Sequence, residues 1–218
     1  MLKFGEFKKR MISDLMKEGK IRFKTVFASE KIPYDAKIVE LKDWCERFQK
    51  NGLTPVVEGN YTGNLSFRSG GGFVITASGL KNKENLTNDC FVYIQSYDEQ
   101  TNTFVVGGKK KPSSESIMHH LIYMNNEDVN AVFHGHNDLI VKYAEKLKLP
   151  VTKKKYESGT IELAKDVLKV LGENKLIVLK DHGFVSLGTR MEEAGELALA
   201  TLDTAKCEWV CQQSGISC

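Results

Sequence analysis

The sequence predicts an α/β fold, with one mixed, largely antiparallel sheet whose faces are covered by helices. Three observations carry that reading. Amphipathic helical patterns are interspersed with short apolar strands along the chain. Gly70-Gly71-Gly72 joins two strand patterns into a hairpin, which an all-parallel sheet does not contain. Neither a linker nor an internal repeat breaks the pattern, and 218 residues lean towards one domain.

Residues 8–18 read as a short helix, and Ile21 to Phe27 alternates like a strand. Ile38, Leu41, Trp44, Cys45 and Phe48 recur at helical spacing between Ala36 and Lys50, and Asn51-Gly52 stops that helix. Thr62 to Arg68 alternates polar and apolar, and Phe73 to Thr76 resumes as a strand after the glycine turn. It ends in Ala77-Ser78-Gly79, small residues that let backbone N–H groups approach a ligand oxygen closely. Phe91 to Ser96 and Thr103 to Val106 are two further strands, joined by a polar loop. Pro112-Ser113-Ser114-Glu115 opens a helix whose apolar side is Ile117, Met118, Leu121, Ile122 and Met124. Ser113 or Ser114 is a natural N-cap there, and a helix start also suits phosphate.

The run Ala131-Val132-Phe133 is a buried strand that ends in His134-Gly135-His136. Period 2 puts both imidazoles on one face, where they can share a metal ion or simply end a strand. Asp138 to Lys148 reads as a helix closed by Pro150, and Ser158-Gly159-Thr160 leads into another over 161–171, stopped by Gly172. Leu176 to Leu179 is a short strand delivering Asp181-His182-Gly183, with Phe184 to Leu187 continuing it. Thr189-Arg190-Met191-Glu192 reads as a capping box for the last helix. The stripe of that helix is Ala194, Leu197, Ala198, Thr201, Leu202, Ala205 and Trp209.

Composition excludes several classes. Hydrophobic content of 41% and charged content of 27% are ordinary for a globular domain. A net charge of +3 with scattered basic residues gives no footprint for nucleic acid. The lysine runs at 109–111 and 153–155 read as solvated loops, which would favour an anionic substrate if they bordered a pocket. No apolar run is long enough to span a bilayer, and the first residues lack the apolar core of a signal peptide. Five widely spaced cysteines without a Cys-x-x-Cys suit a reducing, cytoplasmic location.

Three of the five histidines fit a metal site: His134 and His136 from one strand end, His182 from another. Three neutral imidazoles with an open position make a catalytic zinc arrangement, and that position would accept substrate oxygens or Glu115. His119 and His120 read as helix packing.

Six motifs occur in order: Gly63-Asn64-x-Ser66-x-Arg68, Ile75-Thr76-x-Ser78-Gly79, Lys111-Pro112-Ser113-Ser114-Glu115, Asp128-Val129-Asn130-Ala131-Val132-x-His134-x-His136, Gly159-Thr160-x-Glu162-Leu163 and His182-Gly183. Together they resemble the class II aldolase/adducin family over roughly residues 36–212, leaving residues 1–35 as an N-terminal extension before a domain at 36–218. The resemblance implies a three-layer α/β/α sandwich and a homotetramer. It implies Zn2+ on His134, His136 and His182, Glu115 as general acid/base, and substrate phosphate on Asn64, Thr76, Ser78, Gly79, Ser113 and Ser114. The implied reaction is reversible cleavage of a sugar phosphate to dihydroxyacetone phosphate and an aldehyde through an enediolate. A zinc dehydratase or 4-epimerase of a sugar phosphate is the alternative, although family epimerases do not place glutamate at the position of Glu115. Adducin-like binding modules lack the metal histidines that this chain retains. The tyrosine proton donor of family aldolases has no match, with Tyr143 and Tyr156 as candidates.

Overall fold

The computed structural model describes residues 22–32, 34–57 and 59–215. The helix expected at 8–18 and Ile21, the first residue of the expected first strand, lie outside them. The described chain folds as β1 (Lys24–Ser29), α1 (Lys37–Lys50), β2 (Val56–Val57), β3 (Asn60–Tyr61), β4 (Asn64–Ser69) and β5 (Gly72–Thr76). It continues as β6 (Phe91–Asp98), β7 (Thr103–Gly107), α2 (Ser116–Asn125), β8 (Ala131–Gly135) and α3 (Asp138–Tyr143). It closes with α4 (Ile161–Leu171), β9 (Leu176–Leu179), β10 (Gly183–Gly188) and α5 (Met191–Ser214).

Eight strands form one sheet in the order β1-β7-β6-β5-β4-β8-β10-β9, and β2 pairs with β3 apart from it. Only β1 with β7 is parallel; every other neighbour in the large sheet is antiparallel. This is the mixed, mainly antiparallel α/β fold expected. β1 belongs to the segment read as an extension, yet it lies in the sheet as an edge strand.

Cross-strand partners share a face, so the ladder assigns the two layers. Leu65 pairs with Phe133, whose ring meets Trp44 and Phe48 of α1. That face carries α1, α3 and α5. Asn64 pairs with His134 and Ser66 with Val132 on the opposite face. There the Ser66 hydroxyl meets His119 Nδ1 at 2.7 Å and the Tyr123 hydroxyl at 2.8 Å, both on α2. The helix α4 packs beside α2, completing an α/β/α sandwich.

Three local expectations differ from the structure. The chain does not continue straight from β9 into β10: it turns back at Lys180–His182 and pairs antiparallel, Gly183 with Leu179. The turn bends at Asp181, whose φ of +55° lies in the left-handed region. Neither Ser113 nor Ser114 caps α2; Glu115 occupies the N-cap position without a side-chain cap bond. The Ser113 carbonyl instead accepts from the Ser116 N–H and hydroxyl, so a local turn competes with the cap. At α5 the carboxylate that reaches back is Glu193 rather than Glu192, accepting from the Thr189 N–H at 3.0 Å and hydroxyl at 2.9 Å.

Candidate active site

Four segments converge at the β4–β8–β10 end of the sheet. The β4/β8 register sets Asn64 directly opposite His134. His136 follows β8, its N–H bound to the Leu53 carbonyl at 2.7 Å. His182 leaves the β9–β10 turn, which packs tightly: a Cβ on Gly183 would stand 2.3 Å from the Gly135 carbonyl oxygen. Glu115 enters from the start of α2. All four of Glu115, His134, His136 and His182 are buried, and their candidate ligand atoms lie within 4.8 Å of one another.

The hydrogen bonds show what this cluster can hold. His134 Nδ1 lies 2.8 Å from the Phe184 carbonyl, which can only accept, so Nδ1 carries the proton. In a neutral ring Nε2 is then bare. It faces Glu115 Oε2 at 2.8 Å and His136 Nε2 at 2.9 Å. Bare nitrogen against carboxylate oxygen opposes two lone pairs unless a cation stands between them. The second oxygen, Glu115 Oε1, makes no hydrogen bond among the described residues and lies 3.5 Å from His182 Nε2.

Burial sets the protonation. It pushes His182 down to about 4, and His136 well below the usual imidazole range. Burial alone would raise the Glu115 carboxyl, but His134 and His182 outweigh it and hold the group well below the usual carboxylate range. Three imidazoles around a buried carboxylate are the donor set of a divalent metal site, and the geometry fits one. His119 is not part of it: its ring packs on Ser66 from α2, and burial pushes it down to about 3. His120 packs against Tyr97 and Phe104.

Beside the cluster opens a cavity of about 210 Å³. Asn64, Ser78, Gly79, Ser113, Ser114, Glu115 and His136 all line it. An isolated bridge between Ala77 and Pro112, with the Ser78 N–H on the Lys111 carbonyl at 3.0 Å, clamps the two serine segments together. Asn64 Nδ2 donates to Glu115 Oε2 at 2.9 Å, while its buried Oδ1 has no partner among the described residues. Thr76 does not line the cavity. Its hydroxyl lies inside the sheet, 3.3 Å from the Leu65 N–H.

Sequence reasoning missed Tyr61, Thr62 and Ser158, which line the same cavity. Adjacency to Gly63-Asn64 and to Gly159 was the available signal. The loop carrying Ser158 seats on the site because a Cβ at Gly159 (φ +70°) would meet the Ser114 carbonyl oxygen at 2.6 Å. Tyr143 and Tyr156 lie elsewhere: the Tyr143 hydroxyl bonds Gln212 Oε1 at 2.5 Å, and Tyr156 interacts with Asp166.

The profile of the class II aldolase and adducin N-terminal domain matches residues 39–209. The chain belongs to this family. A 5-methylthioribulose-1-phosphate/5-deoxyribulose-1-phosphate aldolase of Rhodospirillum rubrum is 32% identical over 167 residues, covering 69% of this chain and 72% of the relative. An L-fuculose phosphate aldolase of Methanococcus maripaludis is 33% identical over 150 residues, covering 61% and 76%. Among solved structures, an L-fuculose 1-phosphate aldolase superposes with a TM-score of 0.68 at 24% identity, covering 86% of this chain and 91% of that one. A sugar-phosphate aldolase from Thermotoga maritima gives 0.70 at 17% identity, covering 84% and 97%. At those identities the structures establish the fold of this class II aldolase family member. No helix among the described residues is long and apolar enough to cross a membrane.

Replacing His182 by Ala should cut divalent metal bound per chain, measured by elemental analysis after dialysis, at least ~10-fold. Wild-type metal content in that variant would remove His182 from the site. Acidification gives a second test, on metal-free protein. Unfolded histidines take up protons near 6.5, whereas His182 stays neutral to about 4 and His119 to about 3. The unfolded state therefore binds more protons across that window, and stability should fall as pH drops from 6.5 to 4. Urea midpoints that do not move between pH 7 and pH 5 would contradict it.

Proposed function

We propose that this protein is a zinc-dependent aldolase that cleaves a ketose 1-phosphate reversibly to dihydroxyacetone phosphate and an aldehyde. One observation carries the reading: Glu115 lies against the histidine cluster and lines the same cavity as Ser78, Gly79, Ser113 and Ser114. Acid–base group, metal site and phosphate cradle thus adjoin a single small space. The names of the relatives, aldolases of phosphorylated ketoses, support the same substrate class.

Three imidazoles and a carboxylate are a zinc donor set, and zinc when bound would act as a Lewis acid that stabilises negative charge developing on a substrate carbonyl oxygen. The remaining work falls to the chain. The hydroxyls of Ser78, Ser113 and Ser114 and the N–H of Gly79 would hold the phosphate. In the condensation direction Glu115 takes a proton from the hydroxymethyl carbon of dihydroxyacetone phosphate. Oε2 is fixed by Asn64, which leaves Oε1 to receive that proton. The carbon then attacks the aldehyde carbon, and the aldehyde oxygen must be protonated as the bond forms. Tyr61 is the candidate for that step, since it alone of the seven tyrosines lines the cavity. A phenol is a stronger acid than the neighbouring serine hydroxyls and donates more readily. Cleavage reverses these transfers.

The test is proton exchange from dihydroxyacetone phosphate in D₂O, followed by NMR with zinc-loaded protein. Stereospecific loss of one hydroxymethyl proton is expected, slowed at least ~100-fold in Glu115→Gln. Tyr61→Phe should keep exchange and lose bond formation with acetaldehyde, the fragment left when 5-deoxyribulose 1-phosphate loses its phosphorylated half. No exchange by fully loaded wild-type protein would sink the aldolase reading, and full condensation activity in Tyr61→Phe would remove that donor. A homotetramer working in the cytoplasm belongs to the same proposal; a monomer by light scattering would count against the assembly.

A further inference from the structure

Lys83 is a lysine inside the protein, with 1% of its surface exposed. Its backbone N–H donates to Gln49 Oε1 of α1 at 2.8 Å, and its Nζ to the Gly63 carbonyl at 3.0 Å. An ammonium has three N–H groups to place, and the Gly63 carbonyl is the acceptor Nζ has among the described residues. No carboxylate pairs with it there. Burial lowers the Lys83 ammonium from its ordinary value, and the ionisable groups beside it are Cys45 and Cys90. Burial pushes the Cys45 thiol up to about 11, so that neighbour is neutral and offers no counter-charge.

A buried cation without an anion is costly, and a bound anion would offset part of that cost. The cavity is where that anion would enter. Gly63, which takes the lysine's hydrogen bond, is part of the cavity wall. Among the described residues no lysine or arginine lines that wall, and the carboxylate there is Glu115. A phosphate dianion would therefore meet an acidic group and no basic side chain at the surface.

We propose that Lys83 supplies the positive charge for the substrate's phosphate from behind the Gly63–Asn64 wall. It is a positioning residue that acts through its charge, strengthening phosphate binding without touching the reacting carbons. The inference rests on the aldolase reading, and its test separates the two.

Proton exchange in D₂O is measured for dihydroxyacetone phosphate and for unphosphorylated dihydroxyacetone, in zinc-loaded wild type and Lys83→Met. Expected in the variant is a rise of at least ~10-fold in KM for the phosphorylated compound, with the saturating rate and the exchange of dihydroxyacetone unchanged. Inorganic phosphate should also inhibit the variant more weakly, by the same factor. An unchanged KM would overturn the proposal, and so would equal loss for both compounds, the signature of a packing role. Should Lys83→Met not fold, Lys83→Gln keeps a donor towards Gly63 while removing the charge. If wild type exchanges neither compound, the aldolase reading fails instead. Calorimetry of inorganic phosphate with both proteins then still decides for or against the lysine.

Discussion

A carboxylate buried against bare imidazole nitrogen is the constraint around which this molecule is arranged. Glu115 Oε2 stands 2.8 Å from His134 Nε2, and both residues are buried. Every element that meets there is fixed by something other than the site itself. Phe184 holds the His134 ring from one side, and Asn64 holds the carboxylate from another. The β9–β10 turn holds His182 through its N–H bond to the Leu179 carbonyl at 3.0 Å. A histidine–carboxylate cluster assembled on strands and a helix start keeps its candidate ligands near position without an ion, which suits a metal site.

The core on the other face of the sheet makes that rigidity possible. Phe133 and Phe184 flank His134 along and across the ladder, and both rings pack on Phe48 of α1. Their burial pins β8 and β10 in register, and a one-residue slip would turn His134 away from Glu115. Catalytic geometry and hydrophobic packing are therefore two faces of the same strands. On the site face the packing is polar, with Ser66, His119 and Tyr123 bonded together beneath the metal group.

The segment ahead of β1 also reaches the site's periphery. Arg22 pairs with Glu157 Oε2 at 2.5 Å and donates to the Ser158 carbonyl at 3.3 Å. Ser158 lines the cavity, so residues outside the six motifs help to shape its wall. Tyr61 and Lys83 belong to the same class: neither lies in a metal or acid–base motif, and both bear on the cavity.

Local pattern determined much of this protein. Period 2 put His134 and His136 on one face, helical spacing marked Trp44 and Phe48 as core, and the ordered motifs carried the family and singled out the residues that cluster around Glu115. These are properties of short stretches, where side-chain direction follows backbone period. Capping at Ser113 and Thr189 was misread because several nearby oxygens compete for the same N–H groups, and only the folded geometry selects one. The reversal at Asp181 was hidden for a similar reason, since an aspartate can take a left-handed turn without glycine announcing it. Tertiary structure alone decided that Thr76 faces inward, that Tyr61 reaches the cavity, and that Lys83 is buried behind it. Each depends on which distant segments pack together, and that is set by the whole sheet order rather than by neighbours in sequence.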